Sequence, residues 1–309
     1  MAKTSTHLSL PGRGWGRVNS HRNPTPTPDL PLAGGGGKRL LVREAVSIIL
    51  CLVSLLLPAG CNRHAAEPPE PMHLRIVGST SMQPLVEALA QAYTERHRHV
   101  TIAVEGRGSL TGIELVRQGQ ADIGMVACSK PEDPSLWSMP IALDGIAIVV
   151  HPQNHVEGLT MLQLRDIFFG RILDWKDVGG QAAEIEVISR EDGSGTRAVF
   201  EDLVMTGKRV TPMAVVMPSS QAVVEHVAEH PQAIGYVSMG YLSDQVKPLK
   251  IEGVTPAPDS VRSGDYHLFR PFFLITHGEP TGEIKDFIDF ALSPIGQSIV
   301  GRKYGRVKE

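Results

Sequence analysis

The chain has only three cysteines among 309 residues, and two of them, Cys51 and Cys61, fall before the patterned part of the sequence. Cys128 is therefore the single thiol of the folded part, which excludes an internal disulfide there. A buried, inert thiol is the ordinary role for such a residue, with a nucleophile as the alternative. A basic excess is also missing. The formal charge is −3, which gives no electrostatic footprint for nucleic acid. No internal repeat is visible, and beyond the N-terminal segment no apolar run is long enough to span a bilayer. What remains is an average apolar content over a length that allows a large core and more than one domain.

Residues 1–60 read as a disordered N-terminus followed by an export signal. Residues 4–37 are rich in Pro, Gly, Ser and Arg and have little apolar periodicity. Lys38, Arg39 and Arg43 then precede an apolar run at 45–57, which ends in Pro58, Ala59, Gly60 and Cys61. A basic stretch, a short apolar core and small residues before a cleavage point describe a secretory signal. The ending resembles the lipobox of bacterial lipoproteins, so Cys61 is the expected lipidation site and the chain is expected to hold a membrane through that lipid. Pro58 departs from the lipobox pattern, and the long stretch before the apolar core points to a translation start downstream of Met1. A plain export signal is the alternative. Residues 61–71 form a polar, Pro-rich tether.

From residue 72 onward apolar strand patterns alternate with helical ones. Strands are expected at 74–77, 100–104, 122–126, 146–150, 184–188, 215–217, 233–237 and 271–276. Helices are expected at 84–93, 113–118, 162–169, 196–205, 221–229, 283–292 and 295–302, with a turn at 175–180. Such alternation implies a parallel sheet with covering helices. Two chain crossings, near 146–150 and 271–276, divide it into two α/β lobes, 72–147 with 270–309 and 148–269.

Three strand-to-helix junctions share one chemistry. They are Gly78-Ser79-Thr80-Ser81, Gly106-Arg107-Gly108-Ser109-Leu110-Thr111-Gly112 and Arg190-Glu191-Asp192-Gly193-Ser194-Gly195-Thr196. Glycine lets backbone approach a ligand closely, hydroxyls donate, and the first amides of a helix have no intrahelical partner. The helix dipole adds partial positive charge, and Arg190 offers a planar fork of donors. Each junction alone is an ordinary helix cap. Three in one chain point to a shared small anion held between the lobes, at the carboxyl ends of the strands.

The same segments, with Ala121-Asp122-Ile123-Gly124-Met125, Asp144-Gly145-Ile146-Ala147, residues 167–175, Ile234-Gly235-Tyr236-Val237-Ser238, Arg270-Pro271-Phe272 and residues 292–297, occur in the order found in one family. From about residue 74 to 307 the chain resembles the phosphate-binding proteins of bacterial phosphate ABC transporters. The resemblance implies a two-lobed periplasmic-binding-protein type II fold with the ligand in the interlobe cleft. It implies capture of inorganic phosphate and delivery to the membrane subunits of an ABC permease, by a monomer without catalysis, cofactor or metal. Carried over by position, the phosphate ligands are Thr80, Ser81, Ser109, Arg190, Ser194, Gly195 and Thr196. One position departs. Ala127 stands where the family places Asp or Ser, so an acceptor for protonated phosphate is missing, with Ser129, Asp144 or Asp192 as replacements. Another oxyanion, such as sulfate, molybdate or phosphonate, therefore stays open as the ligand, as does a sensor without a transporter.

Other residues read less sharply. Asp192 is expected to orient Arg190 or to cap the helix. Ser194 invites comparison with a phosphoester hydrolase, but Asp192 occupies the leading glycine position of the G-x-S-x-G frame. His97 with His99, and His226 with His230, lie close in sequence. The second pair has metal-binding spacing but no obvious third ligand, so solvated surface histidines are expected. Trp137 and Trp175 read as packing or turn residues.

Overall fold

The computed structural model describes residues 70–128 and 133–308. The signal segment, Cys51, Cys61, most of the tether and Ser129 lie outside the described residues. Among the described residues no helix is long and apolar enough to cross a membrane. The first half comprises β1 (Met72–Gly78), α1 (Gln83–Thr94), β2 (Val100–Gly106), α2 (Ser109–Arg117), β3 (Ile123–Ala127) and the start of β4 (Leu136–Val150). The second comprises the end of β4, β5 (Gly158–Leu159), α3 (Met161–Phe168), β6 (Glu186–Arg190), α4 (Gly195–Leu203), β7 (Val215–Met217), α5 (Ser220–Glu229), β8 (Ala233–Ser238), β9 (Lys247–Pro248), β10 (Lys250–Ile251) and α6 (Pro258–Ser263). The chain then returns through β11 (Phe269–His277) to α7 (Gly282–Leu292) and α8 (Pro294–Val300).

One hydrogen-bonded path runs β2-β1-β3-β11-β4-β8-β6-β7. It is parallel within β2-β1-β3 and within β8-β6-β7. It is antiparallel where β11 meets β3 and β4, and where β4 meets β8. The sheet is therefore mixed, not parallel throughout. The reason is topological: the chain leaves one half along β4 and comes back along β11, so these neighbours must point opposite ways. β4 carries the change of half within itself. Its residues from Leu136 to Gly145 pair with β11, and those from Ile146 to Val150 pair with β8. The first part of β4 was not foreseen, because Pro140 and Asp144 interrupt its pattern. The ladder accommodates Pro140 beside a register shift between Phe272 and Phe273.

Helix faces follow their apolar spacing. α1 begins with proline in its first turn and buries Leu85, Val86, Leu89, Ala90 and Tyr93. Each buried Leu or Val side chain there contributes about 1.5–3 kcal/mol of transfer free energy. α3 carries a capping box in which Thr160 and Gln163 satisfy each other's backbone amides. The core is continuous across both halves, from Leu74 and Ile76 through Ile146–Val150 to Val223 and Phe287.

Under the change of half lies a buried ion pair. Nε and Nη2 of Arg270 donate to Oδ2 of Asp144 at 3.2 and 3.1 Å, and Ser238 Oγ donates to Oδ1 at 2.6 Å. Both ionic side chains are sealed from solvent. Burial pushes the Asp144 carboxyl up to about 6, opposed by the Arg270 charge, the Ser238 hydroxyl and the Met239 amide. The group is thus a carboxylate at neutral pH. Asp144 is the counter-charge of Arg270 and has no oxygen left over for the acceptor role considered for it.

Replacing one partner strands the other charge in a dry site. Asp144→Asn is expected to cost about 3–5 kcal/mol in urea unfolding, and Asp144→Leu with Arg270→Met to recover most of that loss. A single-variant loss below about 1 kcal/mol would contradict this account of the crossing. Gly78 has φ +150°, and a Cβ there would lie 2.2 Å from the Met125 carbonyl oxygen. Gly78→Ala is expected to cost about 3 kcal/mol or more by the same measurement.

Candidate functional site

In the first half, three loops brace one another. Gly78 ends β1, and its carbonyl accepts the amides of Arg107 and Gly108 at 2.7 and 2.9 Å. The Ser79 amide donates to Met125 O at 2.8 Å. This places Thr80 and Ser81 just ahead of α1. Ser109 is the first residue of α2, four residues earlier than the apolar pattern indicates. Gly112 belongs to that helix, not to the loop. A Cβ at Gly112 would meet Gly78 Cα and Val77 O at 2.7 Å, so glycine is needed for helix and strand to touch. Ser109 Oγ accepts the Ala127 amide at 3.2 Å.

In the second half, Arg190 ends β6 and is only 1% exposed. The hydroxyl of Tyr236 accepts its backbone amide at 3.3 Å and shares a 2.8 Å bond with Ser189 Oγ. Tyr236 is itself fixed by stacking on Phe200 at 4.1 Å. Burial pushes the Tyr236 phenol up to about 12, so it stays neutral and can donate and accept at once. The Arg190 guanidinium fans out from there. Nη1 donates to Ser220 Oγ at 3.1 Å, Nη2 to Thr80 Oγ1 at 3.2 Å, and Nε to Met217 O at 3.2 Å. Its counter-charge is Glu191, which accepts from Nε and Nη2 at 2.9 Å each. This corrects the role expected of Asp192. That residue sits in the turn beyond the strand, faces solvent, and pairs with Arg197 at 3.0 Å and with Arg209.

The two halves meet at the start of α4. Ser194 caps the helix, its Oγ accepting the Arg197 amide at 3.3 Å. A Cβ on Gly195 would fall 2.2 Å from Ala127 O and 2.6 Å from Ser109 Oγ. Thr196 Oγ1 lies 2.6 Å from Ser81 Oγ. From the second half, Tyr241 donates its hydroxyl to Thr80 O at 2.7 Å. All seven residues singled out in the sequence therefore converge on one place, with both halves contributing.

Two further residues belong to the same place. Ser220, at the start of α5, is buried between Arg190 and Ser81, 3.3 Å from the latter's Oγ. Arg270 donates through Nη2 to Thr196 Oγ1 at 2.9 Å. Its Nη1 is buried and, among the described residues, has no hydrogen-bond partner. In sequence Ser220 merely follows Ser219, the residue that caps α5, and Arg270 stands only within an Arg-Pro-Phe motif. Neither carries a local mark of the site. The assembled set is two guanidiniums, hydroxyls from Thr80, Ser81, Ser109, Ser194, Thr196 and Ser220, and the starts of α2 and α4. Such a set suits a small dehydrated oxyanion. Ala127 brings only its backbone.

The other residues fall elsewhere. His97 and His99 flank Glu283 at 3.3 and 3.4 Å. Trp175 is buried and donates Nε1 to Gln232 O at 3.0 Å, and Trp137 packs on the core, so both are packing residues. Cys128 is half-buried beside a small apolar cluster, more open than expected. His226 and His230 are not simply solvated. Their rings stack at 3.8 Å, and Glu186, on a strand 40 residues from His226, supplies the carboxylate that seemed to be missing.

The model of the PBP superfamily domain matches residues 64–294. The Bacillus subtilis phosphate-binding protein PstS is 36% identical over 234 residues, 74% of this chain and 78% of its own length. A Clostridium perfringens structure, a candidate phosphate ABC transporter substrate-binding protein with bound phosphate, superposes with a TM-score of 0.73 at 37% identity. That match covers 76% of this chain and all of that one. An ABC-type phosphate transport receptor from Vibrio cholerae gives a TM-score of 0.63 at 35% identity, covering 75% of this chain and 99% of that one. Shared sequence over three-quarters of the chain, on a fold with its strands in this order, makes it a member of the PBP superfamily and, within it, of the phosphate-binding proteins of bacterial phosphate ABC transporters.

Proposed function

We propose that the chain is a solute-binding protein that captures inorganic phosphate between its halves and delivers it to an ABC permease for import. The observation that carries this reading is the buried guanidinium of Arg190, which reaches from the second half to Thr80 of the first amid converging hydroxyls. The phosphate ligands in this reading are Thr80, Ser81, Ser109, Arg190, Ser194, Gly195 and Thr196, joined by Ser220 and by Nη1 of Arg270, which has no partner among the described residues. The rigid bodies are 72–147 with 270–309 and 148–269, and closure is a hinge motion about β4 and β11. Relatives named as phosphate-binding proteins, and a related structure with phosphate bound, support the choice of ligand. The engagement of Ser194 Oγ as a helix cap supports binding over hydrolysis. In this reading the protein works outside the cytoplasmic membrane, in the periplasm or at the cell surface, held as a monomer by a lipid on Cys61.

Calorimetric titration of the purified protein tests this. Phosphate is expected to bind one per chain, with arsenate competing and sulfate displacing it only in large excess. Equal competition by sulfate would assign the site to oxyanions in general. Arg190→Ala is expected to weaken phosphate binding more than about tenfold, since a charge-assisted bond contributes roughly 1.5–3 kcal/mol. Unchanged affinity would remove Arg190 from the site. Turnover of a chromogenic phosphate ester, abolished by Ser194→Ala, would replace the proposal with catalysis.

A further inference from the structure

At the ends of β6 and α5 remote from the anion site, three side chains meet. Glu186 opens β6, His226 lies in the last turn of α5, and His230 follows it at the helix end. One nitrogen of each imidazole and one carboxylate oxygen of Glu186 all lie within 4.8 Å of one another. We propose that these residues form a site for a single zinc-class divalent cation. This is independent of the phosphate reading.

Four observations support it. First, the ligand types suit the metal. Two imidazoles and a carboxylate are the protein donors of an open tetrahedral zinc site, whose fourth position takes water. Second, the spacing suits it. His226 Nε2 and Glu186 Oε2 are 3.1 Å apart, close to the ligand–ligand separation of about 3.3 Å that bonds near 2.0–2.1 Å imply for a tetrahedron. The rings now stack 7° from parallel at 3.8 Å, so coordination of one ion requires them to tilt out of the stack toward each other. Third, one ligand is already oriented. His230 Nδ1 lies 2.8 Å from His226 O, and a carbonyl can only accept. Nδ1 therefore carries a proton, which in the neutral imidazole leaves the lone pair on Nε2, the backbone-anchored arrangement typical of metal-bound histidine. Fourth, the donors stand on rigid elements. β6 is held by β8 at Glu186 opposite Ala233, and α5 is pinned by buried Val223, Val224 and Val227. The side chains of His226 and Glu186 are 17% and 33% exposed, which leaves an ion a way in from solvent.

The ordinary reading is a plain ion pair between Glu186 and His226. The other histidine pair shows how that looks. His97 and His99 also share a carboxylate, Glu283, but the Tyr93 hydroxyl already donates to it at 2.5 Å, and the rings stand 6.2 Å apart. That group is closed by its own hydrogen bonds. In the Glu186 group Nε2 of His230 has no hydrogen-bond partner among the described residues. A cation here would tie together the far ends of the two elements whose near ends carry Arg190 and Ser220.

The test uses the untagged full chain and zinc as the probe. Calorimetry is expected to give one ion per chain with Kd at or below about 10 μM. Cobalt(II) is expected to show tetrahedral ligand-field bands that vanish when zinc is added. Excess zinc is expected to raise Tm by about 5 °C. His226→Ala and Glu186→Gln should each weaken zinc binding more than about tenfold, with His97→Ala as the silent control. Glu186 is partly exposed, so Glu186→Gln keeps the test open even if His226→Ala folds poorly. Zinc binding undiminished by both variants, or none tighter than millimolar, would overturn the proposal.

Discussion

The structure depends on enclosing the guanidinium of Arg190 between two halves of one chain. Removing a permanent cation from water is costly, and the cost is met only where its donors find acceptors and its charge finds a partner. Glu191 supplies the charge on one edge, while Thr80, Ser220 and the Met217 carbonyl take the remaining donors. Two of these acceptors are hydroxyls, which rotate and which donate as well as accept. In the proposed reading a bound anion replaces Thr80 and Ser220 as the guanidinium's partner while those hydroxyls turn to donate to the same anion. The Arg190 guanidinium is thus satisfied without a ligand, whereas Nη1 of Arg270 is buried with no hydrogen-bond partner among the described residues.

The scaffold serves that requirement. Parallel strands in each half deliver their loops to one edge, where α2 and α4 start. Close approach is possible because Gly78, Gly112 and Gly195 have no Cβ to collide with neighbouring backbone or with Ser109. The antiparallel β4 and β11 join the halves directly beneath, and the Asp144–Arg270 pair sits at that joint. Arg270 thus faces two ways, toward Asp144 in the joint and toward Thr196 in the site. In the proposed closure it would link the β4–β11 joint to the anion site.

Much of this was legible in the sequence, and what was not has a common cause. Strands and helices with clean periodicity, such as β1, α1 and β8, could be placed, as could the three glycine-hydroxyl junctions. The start of β4 was hidden by Pro140 and Asp144, which break a strand pattern that its neighbours restore. The start of α2 was hidden because Gly112 reads as a loop residue until Gly78 is seen packed against it. The partner of Arg190 was misassigned because adjacency in sequence does not say which side of a turn a carboxylate faces. Ser220, Arg270 and Glu186 are drawn to their partners by sheet order alone. Each lies 30 or more residues from a residue it touches, and nothing local marks it.

The most direct measurement is a crystal structure of the protein grown with phosphate. The account predicts one tetrahedral ion enclosed between the halves, its oxygens within hydrogen-bond distance of the Arg190 guanidinium, Thr80, Ser109 and Thr196, and of Arg270 Nη1. Phosphate bound elsewhere, with Arg190 still joined to Thr80 and Ser81 to Thr196 and nothing between them, would contradict it.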